Sequence, residues 1–369
     1  MKRTAVINVV GLTESLIGEH TPKIRAFQMR GAAAKISPAF PAVTCTAQSN
    51  YFTGTNPALH GIVANGWYHR ELAEVQFWKQ SNHLVHGKKI WDELRALDPK
   101  FTCAKLFWWY NMYSTADYSI TPRPMYPADG RKFFDIYSWP YSIREEIKRD
   151  LGEFPFATFW GPAAGIKTPQ GDADACSRWI ANSAKWIENK YSPTLNLIYL
   201  PHLDYNLQRH GPFGVPPSGG SSGSSDATLR NADRLKAEHQ TLNPAIIPDL
   251  QQIDAIVGDL ISFFEKRDVQ IILLSEYGIT NVDTPIHLNR IFLQFGWLTI
   301  KEELGRELLD FGASKVFAVA DHQIAHIYLN DPSLKNLVRN VVEGTSGVEK
   351  VLSNEERITL GIDHERAGD

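Results

Sequence analysis

The chain has 369 residues, 43% of them hydrophobic, and a formal net charge of −3. That length and apolar content support a large core, in one large domain or two smaller ones. The near-balanced charge supplies no global basic field, so neither nucleic acid nor an anionic membrane is expected as the main partner. Cys45, Cys103 and Cys176 are far apart and odd in number. They argue against a disulfide framework and for a reducing compartment.

The N-terminus "MKRTAVINVVGLTES" has a short apolar run interrupted by Asn8 and no small-residue cleavage site. It reads as a first strand, not a leader. No stretch approaches the roughly 18 apolar residues of a membrane helix, and the cytoplasm is the default location. In chain order, "TPKIRAFQMRG" reads as a short helix with a Gly stop. "KKIWDELRAL" reads as a helix and "TCAKLFWW" as a strand. "YSIREEIKRDLG" and "SRWIANSAKWIENK" are amphipathic helices, and "TLNLIYL" is a buried strand. "PDLQQIDAIVGDLISFFEK" puts Leu250, Ile253, Val257, Leu260, Ile261 and Phe264 on one helical face. "VQIILLS" is the next buried strand. This alternation, with continuously apolar strands, predicts an α/β fold: a mostly parallel central sheet covered by helices on both faces.

Two regions break the rhythm. Residues 110–140 are rich in Tyr, Pro and Arg and read as a lobe or long loop over the sheet edge. Residues 211–247 carry a Gly/Ser run and read as a flexible surface insertion.

Four stretches hold residues able to do chemistry. In "FPAVTCTAQSNYFTG" a Pro-containing turn delivers Thr44 to the start of a helix. A hydroxyl there either favours an anion such as phosphate or simply caps the helix. In "NPALHGIVANGWY", Asn65 either donates to a phosphoryl oxygen or forms a turn before Gly66. In "YLPHLDYNLQRHGP", a strand runs into His202, Asp204, Gln208, Arg209 and His210, a spacing that matches no single compact metal motif. In "FAVADHQIAHIYL", Asp321, His322 and His326 lie in an apolar, strand-like segment that suits core histidines. A fifth stretch, "IILLSEYGIT", ends a buried strand with Glu276 and Tyr277 at the sheet edge where ligands bind in open α/β folds.

Taken in order, "VVGL", "FPAVT", "TGTNPALHGIVAN", "LDYNLQRHGP" and "SEYGIT" resemble the alkaline phosphatase superfamily, in its nucleotide pyrophosphatase/phosphodiesterase branch. The resemblance implies one alkaline-phosphatase-like domain over residues 1–369. It matches Thr44 to the nucleophile and Asn65 to a phosphoryl-contacting residue. It also implies divalent metal, zinc above all, one or two ions per site. The ligands depart from the family pattern. Val10 stands where Asp is expected, Gln208 where His is expected, and Glu276-Tyr277 where Asp-His is expected. Asp204 is retained. The family's late His has no motif match here, and the resembling subgroup runs on some tens of residues past residue 369.

A single metal held by Asp204, Glu276 and one of His202, His210 or His322 is one expectation. Arg123, Arg131 and Lys132 are candidates to meet substrate charge, with Tyr277 beside them as a substrate-binding residue. The resemblance implies hydrolysis of a phosphodiester, pyrophosphate or phosphomonoester in small-molecule biosynthesis, and hence a small phosphorylated substrate as the partner. Two alternatives stay open. One is a non-hydrolytic protein that binds a metabolite or partner. The other is metal-free acid–base chemistry with His202, Glu276 and Tyr277.

Overall fold

A computed structural model of the chain describes residues 1–125, 133–159, 163–169, 171–214 and 241–369. The strands are β1 (Thr4–Val9), β2 (Gly66–His69), β3 (Glu74–Phe77), β4 (Cys103–Leu106), β5 (Tyr118–Met125), β6 (Phe133–Trp139), β7 (Leu195–Leu200), β8 (Gln270–Leu274), β9 (Thr299–Glu303), β10 (Arg306–Asp310), β11 (Val316–Asp321) and β12 (Ile324–Leu329). The helices are α1 (Pro22–Met29), α2 (Thr44–Thr53), α3 (Pro57–His60), α4 (Ile90–Leu97), α5 (Ser142–Leu151), α6 (Ala175–Tyr191), α7 (His202–His210), α8 (Ile247–Glu265), α9 (Leu288–Gln294), α10 (Lys335–Glu343) and α11 (Asn354–Thr359).

Six strands form the central sheet in the order β6-β5-β4-β7-β1-β8. All neighbours pair parallel except β5 with β6. The expected mostly parallel sheet is therefore present. Its inner strands are apolar on both faces because helices cover both; β7 is buried at every position. Register fixes where the sheet ends. Val9 lies beside Leu200, and Asn8 beside Leu274. The segments after β1, β7 and β8 therefore leave the same edge side by side.

The helical face read from the sequence is the packed face of α8: Leu250, Ile253, Val257, Leu260, Ile261 and Phe264 are all buried. α8 packs on α1, α6 and α7. Phe264 is fully enclosed, so Phe264→Ala is expected to cost about 3–5 kcal/mol. A urea titration would show this as a lower midpoint, whereas an unchanged midpoint would mean the face is not packed as described.

The stretch 110–140 departs from the loop reading. Its described residues include β5 and β6, which extend the sheet as an antiparallel pair. Pro122 and Pro124 obscured this strand in the sequence, since Pro removes a ladder donor. They are tolerated because β4 pairs only with Tyr118–Ile120, leaving the later N–H positions on that side without a partner strand. Residues 126–132 lie outside the described residues, and so do Arg131 and Lys132. Within 211–247, Phe213 bridges Leu242, and 215–240 lie outside the described residues. The segment "FAVADHQIAHIYL" is a hairpin, β11 paired antiparallel with β12. His322 sits in its turn with φ +58°.

Candidate active site

Three strand ends and one helix start meet at the carboxyl edge of β7, β1 and β8. Thr44 is the first residue of α2, and Val43 occupies the cap position. The Thr44 side chain caps no backbone N–H, so the helix-cap reading does not hold. Its hydroxyl instead lies 3.3 Å from the Tyr277 phenol. That phenol donates to Asp204 Oδ1 at 3.2 Å, and Gln208 Nε2 donates to Asp204 Oδ2 at 2.7 Å. Asp204 comes from the first turn of α7, directly after β7. Burial pushes its carboxyl up to about 6, while the bonds from Tyr277 and Gln208 and the charge of His322 pull it down.

Glu276 leaves the end of β8 and turns inward. Its Oε1 accepts the side-chain amides of Asn8 and Gln48, both at 2.5 Å. Its Oε2 is buried and has no hydrogen-bond partner among the described residues. Burial pushes Glu276 up to about 7, against the Gln48 and Asn8 bonds. The Tyr199 and Glu276 side chains also sense the Thr44 hydroxyl, but only Tyr277 reaches it at hydrogen-bond distance. Burial drives the Tyr277 phenol well above the ordinary tyrosine range, reinforced by the two carboxylates.

These groups open into a cleft of about 510 Å³ lined by Thr44, Asp204, Gln208, Arg209, Tyr277 and His322, with Trp78, Tyr199 and Tyr205 as aromatic wall. That volume suits a small organic ligand. His322 enters from the β11–β12 turn, its Nε2 3.8 Å from Asp321 Oδ1.

Other candidates sit elsewhere. Asn65 is buried behind α2 and does not line the cleft. Its Oδ1 accepts the Cys45 N–H at 3.0 Å. Its own N–H and Nδ2 donate to Asp321 at 2.7 and 3.1 Å. The amide that the resemblance aims at a phosphoryl oxygen is therefore engaged in tying the start of α2 to the β11–β12 hairpin. His202 is fully buried beside α6, where its backbone N–H meets Ser177 Oγ at 3.3 Å. Burial lowers its imidazole to about 4, and it is not among the cleft residues. His326 is a satisfied core histidine: Nε2 lies 3.1 Å from the Val63 carbonyl, and Nδ1 accepts the Gly368 N–H at 3.0 Å. Arg123 lies on β5, opposite Asp135 of β6, and is also not among the residues lining the cleft.

The sequence reading passed over Asn8 and Gln48, the two donors that hold Glu276. Both left a signal. Asn8 is the lone amide in an apolar strand, and Gln48 follows Thr44 by four residues, on the same helical face.

The donor set does not fit the metals that the resemblance implies. Val10 is a buried hydrocarbon. Gln208 and Tyr277 spend their donors on Asp204, and Glu276 Oε1 is covered by two amides. Of the positions where the family pattern places ligands, Asp204, Gln208, Tyr277 and Glu276 Oε1 are hydrogen-bonded to other side chains of this protein, while Glu276 Oε2 has no partner among the described residues. Among the described residues no group of three or more His, Cys, Asp or Glu is arranged to hold an ion.

No curated protein matches the sequence. Solved structures of the same fold include phosphonoacetate hydrolase from Sinorhizobium meliloti 1021, in complex with phosphonoacetate (TM-score 0.59) and with phosphonoformate (0.58). Each is 13% identical, and the match covers 100% of this chain and 80% of that one. Murine ectonucleotide pyrophosphatase/phosphodiesterase 5, as an inactive variant in complex with AMP, is 14% identical with a TM-score of 0.57, over 100% of this chain and 77% of that one. At such identities these likenesses establish the fold. The sequence itself matches the type I phosphodiesterase/nucleotide pyrophosphatase family over residues 4–369. The chain therefore belongs to that family of hydrolases, within the alkaline phosphatase superfamily.

Proposed function

We propose that this protein hydrolyses a small organic phosphoester of small-molecule metabolism, with Thr44 as the nucleophile. The observation that carries this is the Thr44 hydroxyl. It does no capping, faces the cleft and is hydrogen-bonded to an acid–base pair. Relatives of the same fold hold phosphonates or AMP, which supports a phosphorus-centred substrate. Family members typically use divalent metals, but several donors at this site are bonded to one another.

The charge of the site favours one ester class. Among the described lining residues the fixed positive charge is that of Arg209, itself hydrogen-bonded to Asn206 Oδ1, set against Asp204 and the nearby Glu276. A phosphomonoester dianion adds a second negative charge beside those carboxylates, and like-charge repulsion of even about 1.4 kcal/mol is tenfold in rate. Bis(4-nitrophenyl) phosphate is therefore expected to be cleaved roughly tenfold faster or more, by kcat/KM, than 4-nitrophenyl phosphate. Release of 4-nitrophenol from both tests the reading. Saturable binding of the diester with no turnover would instead favour the non-hydrolytic alternative.

A further inference from the structure

We infer that Asn65 and Asp321 form a clamp behind the cleft that fixes where Thr44 and His322 stand in it, so that both are positioning residues for the reaction. The inference rests on the hydrolytic reading above and adds to it two residues that do not line the cleft. It departs from the role the resemblance gives Asn65, because the side-chain amide here reaches protein groups on both sides.

Segment 62–65 follows α3 and is buried throughout. On one side it holds α2. A helix start leaves backbone N–H groups without partners in the helix, and Val43 at the cap position supplies no side-chain acceptor. Asn65 Oδ1 takes the N–H of Cys45, the residue after Thr44, at 3.0 Å. The Thr46 hydroxyl donates to the Ile62 carbonyl at 3.1 Å. On its other side the segment holds the β11–β12 hairpin. The Asn65 N–H donates to Asp321 Oδ2 at 2.7 Å, and Asn65 Nδ2 donates to Oδ1 at 3.1 Å. Asp321 is the last residue of β11, and His322 follows it in the turn. The Asn65 carbonyl also accepts the Trp78 N–H at 2.9 Å. Trp78 has φ +58°, a conformation that costs a bulky residue energy and persists where its surroundings hold it. Thr44, Trp78 and His322 all line the cleft, and the backbone that carries each is tied to one buried asparagine.

The chemistry of the pair explains the residue types. The Cys45 N–H needs an acceptor, and the Asp321 carboxylate needs donors. An amide side chain offers both, whereas a carboxylate only accepts. The Asn65 amide therefore fits this place in one orientation, oxygen toward α2 and nitrogen toward the hairpin. Breaking either link frees the nucleophile helix to shift against the hairpin. A misplacement of about 1 Å at a reacting group can cost about 100-fold in rate.

The test exchanges the two side chains in the full chain, with zinc supplied and bis(4-nitrophenyl) phosphate as substrate. Asn65→Asp sets two carboxylates face to face, and Asp321→Asn sets two amides face to face. Each is expected to lower kcat by about 100-fold, with KM changed less. In the double variant, Asn65→Asp with Asp321→Asn, every bond of the clamp can re-form. The carboxylate at position 65 accepts from the Cys45 N–H and from the amide at position 321, whose carbonyl accepts the backbone N–H of residue 65. The double variant is therefore expected to return to within about tenfold of the wild-type kcat, a coupling that independent sites do not show. Thermal melts are expected to follow the same pattern, and the kinetics are read well below the lowest melt. An Asn65 that instead touches the substrate predicts the opposite. The double variant then has no amide donor at position 65 and presents a carboxylate to the phosphoryl group, so its kcat stays as low as that of Asn65→Asp. That result overturns the clamp, as does a double variant that does not fold. Single variants with wild-type kcat overturn it too and leave the hydrolytic reading standing. A wild type that does not cleave the diester overturns the hydrolytic reading, and the positioning role with it.

Discussion

Thr44→Ala is expected to lower turnover of a phosphodiester by roughly a thousandfold or more, the scale on which an essential nucleophile is lost. The structure separates this from a folding effect. Val43, not Thr44, holds the cap position of α2, and no backbone N–H depends on the Thr44 side chain. Losing its methyl and hydroxyl therefore leaves helix start, sheet edge and cleft wall in place. Thr44→Ser keeps the hydroxyl and is expected to stay within about tenfold of wild type. Steady-state kinetics on both variants, with thermal melts to show that both are folded, check the result. Equal rates in wild type and Thr44→Ala would remove Thr44 from the chemistry and leave the cleft as a binding site.

The second large effect is on stability and comes from Glu276. Its carboxyl is pushed up from 4.5 to about 7 by burial. The folded protein thus holds this proton over a range where the unfolded chain has released it. A raised carboxylate pKa stabilises the fold at low pH, and that contribution is lost as pH rises from about 4.5 through about 7. At 1.36 kcal/mol per unit, the loss is on the order of 3 kcal/mol above pH 7. Glu276→Gln mimics the protonated acid: its carbonyl can accept from Asn8 and Gln48 as Oε1 does. The variant is expected to match wild type near pH 4.5 and to exceed it by about 3 kcal/mol at pH 8. Denaturant unfolding at the two pH values reads the difference. A wild type as stable as Glu276→Gln at pH 8 would mean that the carboxylate is ionised at little cost in the fold.

How much of this was legible in the sequence follows from which forces act locally. β7 announced itself because a strand buried on both faces is apolar throughout, and α8 because its face repeats at helical spacing; β8 was read as buried from its apolar run, but it is the edge strand of the sheet, and Gln270 and Ile272 are exposed. β5 did not announce itself, since Pro122 and Pro124 argue against a strand until it is seen that β4 ends before them. The order of motifs put Thr44, Asp204 and Glu276 into one site, and the register of β7, β1 and β8 brings their segments to one edge. Direction was not legible. Glu276 turns inward to Asn8 and Gln48 while its neighbour Tyr277 faces the cleft, an alternation that depends on where the strand stops. Asn65 looked available because its partner Asp321 lies 256 residues away. His202 and His322 were equal candidates on paper, but a helix buries the first and a hairpin turn half-exposes the second.

The most direct measurement is the mass of the Thr44-containing peptide after reaction of the protein with diisopropyl fluorophosphate. A phosphoryl adduct on Thr44 is the result expected of a threonine nucleophile facing the cleft. An adduct on another residue, with none on Thr44, would contradict it.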